Sequence, residues 1–227
     1  MHSEIRGLSS GDIWDYENGF YWFSDRTRIA KLMAHLAIYE QIVKLPGDVI
    51  EFGVYKAASL IRFLTFRNVL ENDFSRKIVG FDAFGKFPQN LSNIDSDFGF
   101  ITQFEEQGGG GLSVPEVTNI LNRKGFENYE LVAGDVFETL PKWLVQNPYT
   151  RISLLHLDMD VYAPTKYVLD ELWNRVVEGG IIVFDDYNTV EGETLAVDEF
   201  LKKHKIKLVK NHFYKIPSYI IKDQPPN

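Results

Sequence analysis

The residues best equipped for chemistry in this sequence are acidic, and they sit in or just after short apolar runs. Glu51 lies in the run 48–52, and Asp82 follows 77–81. Gly134-Asp135 follow 129–133, Asp158 and Asp160 follow 152–157, and Asp185-Asp186 follow 181–184. Any one of these acids alone is explained as well by its offsetting the dipole of a helix N-terminus. Five runs in succession with an acid at the same place favour a shared site. Such carboxylates accept hydrogen bonds from ligand hydroxyls, bind hard divalent cations through oxygen, or act as bases. The chain has no cysteine, so a metal must be held by oxygen or by its five histidines.

The spacing refines these roles. Asp158 and Asp160 are two apart, so on an extended segment they share a face. Asp185 and Asp186 diverge on a regular strand and reach one point only where the chain turns, for which Tyr187-Asn188-Thr189 supplies turn residues. His156 could face the same cleft, although a lone strand histidine reads first as a satisfied core residue. Gly53, where the first run gives way to a helix, lets a ligand approach the backbone, and the helix start beyond it offers free amides. With Ala57 and Ala58 in place of further glycines, neither the dinucleotide nor the P-loop pattern is matched. Asp82 is placed to accept both hydroxyls of a ribose, which points to an adenosine-like ligand.

Positioning such residues requires a sheet. The runs above, with 206–209 and 213–221, are mostly separated by helical patterns at 57–71, 115–124, 136–146, 164–177 and 192–203. This alternation predicts an α/β fold: a doubly wound, mostly parallel seven-stranded sheet with helices on both faces and ligands bound outside the carboxyl ends of the strands. The last two runs are too close for a parallel crossover and form an antiparallel hairpin at an edge. Ile29, Leu32, Met33, Leu36, Ile38 and Ile42 mark a helix over 27–43, ended by Pro46-Gly47. Residues 1–46 then form a helical cover. Ser113 and Glu116 make a capping box. The segment 88–112, with four glycines at 108–111 and the acids Asp95, Asp97, Glu105 and Glu106, reads as a mobile lid loop. Trp14, Tyr16, Phe20, Tyr21, Trp22 and Phe23 are too many aromatics to expose on a monomer, so they cover the cleft or build a homo-oligomer interface.

With 227 residues, 44% of them hydrophobic and 25% charged, one domain over 1–227 accounts for the chain better than two. A formal charge of -8 argues against nucleic acid as the main partner, and the cationic stretch 202–210 reads as a solvated helix end. The longest apolar runs fall far short of the ~20 residues of a membrane span, and the first residues lack a signal peptide's apolar stretch. A cytoplasmic protein with no membrane partner is expected.

Five ordered segments, GDVIEFGVYKAAS, VGFDAFGKFP, LVAGDVFETLP, LLHLDMDVYAPTKYVLDEL and EGGIIVFDDY, together resemble the macrocin-type sugar O-methyltransferases of antibiotic biosynthesis. The resemblance covers about residues 25–222 and implies a Rossmann-like, class I methyltransferase that uses S-adenosylmethionine. In that family pattern Glu51, Gly53, Tyr55 and Ser59 line the methionine part of the cofactor, Asp82 holds the ribose, and Gly134, Asp135 and Val136 flank the adenine. Asp158, Asp185 and Asp186 become ligands of Mg²⁺ or another divalent cation, with Asp160 as general base. The family's usual glycine after the basic residue is Ala57 here.

Methyl transfer from a sulfonium to oxygen requires the acceptor to lose its proton, and a sugar hydroxyl is a weaker acid than a phenol, which titrates near about 10. A divalent ion favours the alkoxide and orients it. A carboxylate is a weak base at its ordinary pKa, so Asp160 needs a raised one. The implied function is a Mg²⁺-assisted O-methyltransferase acting on a sugar-like small molecule. The alternatives are a metal-independent small-molecule methyltransferase and a non-catalytic nucleotide-binding module of the same fold.

Overall fold

The apolar runs become strands because helices cover both of their faces. The computed structural model describes residues 4–86 and 95–222. A short hairpin, β1 (Glu4–Ile5) and β2 (Leu8–Ser9), leads into α1 (Ile13–Phe23) and α2 (Arg26–Ile42). Then come β3 (Asp48–Phe52), α3 (Ala58–Leu70), β4 (Ile78–Asp82), α4 (Asp95–Gly108), α5 (Val114–Arg123), β5 (Tyr129–Ala133) and α6 (Val136–Gln146). The chain continues through β6 (Ile152–Leu157), α7 (Tyr162–Leu172), β7 (Val176–Phe184), α8 (Glu191–His204), β8 (Val209–Lys210) and β9 (Ser218–Ile221).

The main sheet has the order β5-β4-β3-β6-β7-β9-β8, parallel except for β9, which runs antiparallel to both β7 and β8. From β3 the chain winds outward to β5, then returns to place β6 on the other side of β3. The order therefore reverses between β3 and β6, and a crevice opens at their carboxyl ends.

Alternation along the strands divides the core in two. Val49, Ile78, Leu154 and Ile181 pack with α2, α3 and α5, whereas their neighbours Ile50, Val79, Leu155 and Ile182 pack with α6, α7 and α8. By the same parity Glu51, His156 and Asp185 project toward the α2–α3 side.

Some elements differ from the sequence reading. β7 starts at Val176, within the expected end of α7, and the hairpin is joined by residues 211–217 instead of three residues. The expected lid loop is largely helix α4; residues 88–94 of that region lie outside the described residues. The glycine run is tied down: Tyr55 Oη and Lys56 Nζ donate to Gly108 O at 2.5 and 2.8 Å, and the Arg6 guanidinium donates to Gly110 O and Gly111 O, both at 2.9 Å. Four glycines cost entropy to order, and these side-chain donors offset that cost. The capping box forms as expected, Ser113 N donating to Glu116 Oε2 at 2.7 Å. Helix α1 buries none of its residues, and Trp22 and Phe23 are 70% and 85% exposed. Those aromatics do not cover the cleft.

Candidate active site

A cavity of about 540 Å³ fills the crevice. Its floor is set by contacts between the turns that follow β3 and β6. Gly53 has φ +91°, and a Cβ there would collide with the Asp158 carbonyl, so only glycine lets these turns meet. Gly53 N donates to Phe81 O and Asp158 N to Phe52 O, both at 2.9 Å, which stitches the strand ends together. Ala57, at φ +61°, occupies a left-handed position just before α3, a conformation that glycine adopts without strain.

Six of the eight residues expected at the cofactor line this cavity: Gly53, Tyr55, Ser59, Asp82, Gly134 and Val136. Two do not. Asp135 caps α6, its Oδ1 accepting from Phe137 N at 2.9 Å. Glu51 is fully buried beneath the floor, next to His156. Asp82 is largely committed to the turns: its Oδ2 accepts from Val54 N and Tyr55 N at 2.7 and 2.8 Å, and its Oδ1 from Phe84 N at 2.5 Å. A carboxylate has about four acceptor sites, so about one remains for a ribose hydroxyl.

The acids after β6 and β7 converge at the other end of the cavity. Asp158, Asp185 and Asp186 each offer an oxygen, and these oxygens lie within 4.8 Å of one another. Asp186 turns toward the group because Thr189 N and Val190 N both donate to its carbonyl, at 2.8 and 3.0 Å. Asp160, at φ +66°, is buried close to Asp186. Burial and the charges of Asp185 and Asp186 push Asp158 well above the usual carboxylate range; burial and Asp186 do the same to Asp160. Asp185 behaves oppositely. Burial opposes its charge, yet hydrogen bonds from His156 and His35 and the charge of Lys31 hold it well below that range.

Lys31, His35 and Glu193 at this end went unread in the sequence, and His156, read there first as a core residue, joins them. Lys31 and His35 share a face of α2 and both reach Asp185: Lys31 Nζ pairs with Oδ2, and His35 Nε2 lies 3.3 Å from Oδ1. His156 Nε2 lies 3.4 Å from the same oxygen, and its Nδ1 lies 3.1 Å from Glu51 Oε1. Burial lowers His35 to about 4 and leaves it neutral. For His156 burial is outweighed by Asp185 and Glu51, which raise it to about 9 and keep it charged. Glu193, fully buried, accepts from Asp186 N at 2.9 Å and supports the turn. The spacing of Arg28, Lys31 and His35 along one helical face and the shared parity of Glu51, His156 and Asp185 were the available signals. The apolar pattern of α2 masked the first.

Comparison with known proteins finds similar sequences and a similar fold. A demethylated tetracenomycin rhamnoside 4'-O-methyltransferase of Streptomyces olivaceus is 28% identical over 147 residues, covering 63% of this chain and 54% of the relative. Demethyldecarbamoylnovobiocin O-methyltransferase of Streptomyces niveus is 29% identical over 168 residues, covering 71% and 61%. The chain thus spans little more than half the length of these curated relatives. The apo structure of CalS11, a TDP-rhamnose 3'-O-methyltransferase of calicheamicin biosynthesis, superposes over 93% of this chain and 86% of its own with a TM-score of 0.66 at 26% identity. The model of the macrocin-O-methyltransferase (TylF) family matches residues 21–216, from the end of α1 through almost the whole sheet. With the β3–β6 reversal and the acids that gather beside it, that match places the chain in the macrocin-O-methyltransferase family.

Proposed function

We propose that the chain is an S-adenosylmethionine-dependent, Mg²⁺-assisted O-methyltransferase acting on a hydroxyl of a sugar or sugar-containing small molecule. The observation that carries this reading is the gathering of Asp158, Asp160, Asp185 and Asp186 at one end of a cavity that is also lined by Gly53, Asp82 and Gly134. The donor set suits a hard cation, because it consists of carboxylate oxygens from Asp158, Asp185 and Asp186 gathered within 4.8 Å of one another. Asp158, Asp185 and Asp186 would hold the ion. When bound, it would favour the alkoxide form of the acceptor hydroxyl, while the cofactor supplies the methyl group on its sulfonium.

The chain's own residues do the rest. Gly53, Tyr55 and Ser59 take the methionine part, Asp82 the ribose, and Gly134 and Val136 the adenine. Asp160 accepts the hydroxyl proton, and its raised pKa is the direction a base for a weakly acidic hydroxyl needs. Phe104 of α4, packed on Tyr55 with ring centroids 5.0 Å apart, adds an apolar wall to the same cavity. The sugar preference draws on the relatives, two of which bear a rhamnose in their names.

The test is methyl transfer to a panel of rhamnosyl acceptors. Turnover abolished by EDTA and restored by Mg²⁺ supports the reading. Turnover indifferent to EDTA favours a metal-independent methyltransferase, a reading with its own basis in Lys31, whose ammonium already pairs with Asp185 and feels Asp158 and Asp186.

Self-association belongs to the same proposal. Trp14, Trp22 and Phe23 are 73%, 70% and 85% exposed, and large aromatics left open together mark interaction surfaces. Light scattering should report an oligomer that Trp22→Lys weakens; a monomeric wild type would contradict it. Among the described residues no helix is long and apolar enough to cross a membrane, and a cytoplasmic location fits an enzyme that consumes a metabolic cofactor.

A further inference from the structure

We propose that Glu51 and His156 are positioning residues: Glu51 acts through the His156 imidazole to hold the Asp185 carboxylate, and it does not touch the cofactor. The proposal rests on the reading of Asp185 as a cation ligand and adds to it the residues that fix that ligand's orientation.

Strand register builds the chain of contacts. Glu51 and His156 are Cα partners across β3 and β6, so their side chains leave the sheet side by side on the α2–α3 face. Asp185, one residue beyond β7, follows the same parity. The ring of His156 lies between the two carboxylates, Nδ1 at 3.1 Å from Glu51 Oε1 and Nε2 at 3.4 Å from Asp185 Oδ1. All three side chains are buried, Glu51 at 0% exposure.

Glu51 is otherwise unexplained. Neither of its oxygens has an aligned hydrogen bond among the described residues, so the contact with His156 is an ion pair without directional support. A carboxyl group buried in this way is costly without a polar partner, and the group against it is the His156 ring, 3.1 Å away. The cavity wall does not include Glu51, although it includes Gly53 and Ser59 on either side of the turn. Its effect on the site must therefore pass through the imidazole. With Nδ1 facing Glu51, the ring presents Nε2 to Asp185. His35 Nε2 and Lys31 Nζ complete the set around that carboxylate. Partners of this kind, one step removed from a metal, fix ligand orientation and typically govern metal affinity about 10- to 100-fold.

The experiment uses the full chain with Mn²⁺ as the metal probe and S-adenosylhomocysteine as the cofactor probe. Glu51→Gln, nearly isosteric, should weaken Mn²⁺ binding about 10- to 100-fold and lower kcat. S-adenosylhomocysteine affinity and the KM for S-adenosylmethionine should stay unchanged. His156→Gln, which can still offer an N–H to Asp185, should recover part of the loss seen in His156→Leu. Combined with Asp185→Asn, Glu51→Gln should add no further loss of kcat. Weakened S-adenosylhomocysteine binding with Mn²⁺ affinity intact would make Glu51 a cofactor ligand and overturn the proposal. Should wild type bind no Mn²⁺, the metal reading fails by itself. The Glu51→Gln and Asp185→Asn cycle then decides: non-additive losses sustain the link between the two residues, and additive losses overturn it.

Discussion

At the β3–β4 end of the crevice the turns give the cavity its shape through unusual backbone conformations, whereas the β6–β7 end gathers acidic side chains. The first end is shaped by unusual dihedrals: Gly53, Tyr55, Ala57, Phe84 and Gly134 all have positive φ, and its one acid, Asp82, spends most of its acceptor capacity on backbone amides. The second end gathers Asp158, Asp160, Asp185 and Asp186, with Lys31, His35 and His156 beside them. The difference matches the two tasks of a group-transfer enzyme. Holding a cofactor needs a fixed shape, while deprotonating an acceptor needs buried charge whose pKa values are pushed apart. Backbone strain predominates at the first end, with Asp160 at φ +66° its counterpart at the second, where buried charge is gathered.

If that division is right, substitutions at each end should fail differently. The largest effect is expected for Asp160→Asn, which removes the proton acceptor: kcat should fall about 10²- to 10⁴-fold, with S-adenosylhomocysteine affinity unchanged by calorimetry. Loss of affinity comparable to the loss of kcat would erase the distinction between the ends. Next is Gly53→Ala, where the added methyl meets the Asp158 carbonyl at a φ that alanine avoids. A cost above about 3 kcal/mol is expected, read by chemical denaturation, together with lost cofactor binding.

A third comparison lies within the charged end. His35 has a folded-state value of about 4 against an ordinary 6.5. The unfolded chain therefore takes up its proton first, and stability should fall as pH drops from 6.5 toward 4, by about 3 kcal/mol at most. His156, raised to about 9, works in the other direction: its contribution is complete below pH 6.5 and fades as pH rises toward 9, by a similar amount. The carboxyls of Asp158, Asp160 and Glu193, raised by burial and neighbouring acids, also weaken the fold as pH rises. Denaturation curves across pH should lose the acid limb in His35→Gln and flatten between 6.5 and 9 in His156→Gln. Unaltered limbs would mean that neither imidazole titrates as its surroundings dictate. The smallest effect sharpens the strained end: Ala57→Gly should raise stability by about 0.5 kcal/mol, the relief of a left-handed alanine set against glycine's greater entropy in the unfolded chain. A lower melting temperature would show that packing of the Ala57 methyl outweighs its strain.

Much of this division was legible in the sequence because strand ends are marked by local signals. An apolar run followed by an acid reveals where Asp82, Asp158 and Asp185 must emerge, and the Ser113–Glu116 capping box is a four-residue pattern that forms wherever the helix starts. What escaped was set by tertiary packing. Helix α4 looked like a loop because its glycines and acids carry little helical preference; it is held from outside, Tyr162 N donating to Asp97 Oδ2 at 3.0 Å and Tyr55 grasping Gly108. Lys31 and His35 were hidden in a helix whose apolar spacing drew the eye. Glu51 was assigned to the cofactor by resemblance, but its parity with His156 points it under the cavity floor. The family motif identifies the residue, and the sheet register decides what it touches.

The central claim is that the acids after β6 and β7 hold a cation beside the transferable methyl group. A crystal grown with S-adenosylhomocysteine and Mn²⁺, measured at the manganese absorption edge, tests it most directly. The expected result is an anomalous peak in contact with Asp158, Asp185 and Asp186, with Lys31 drawn away from Asp185. A well-ordered cofactor with no peak there, and Lys31 still paired to Asp185, would contradict the account.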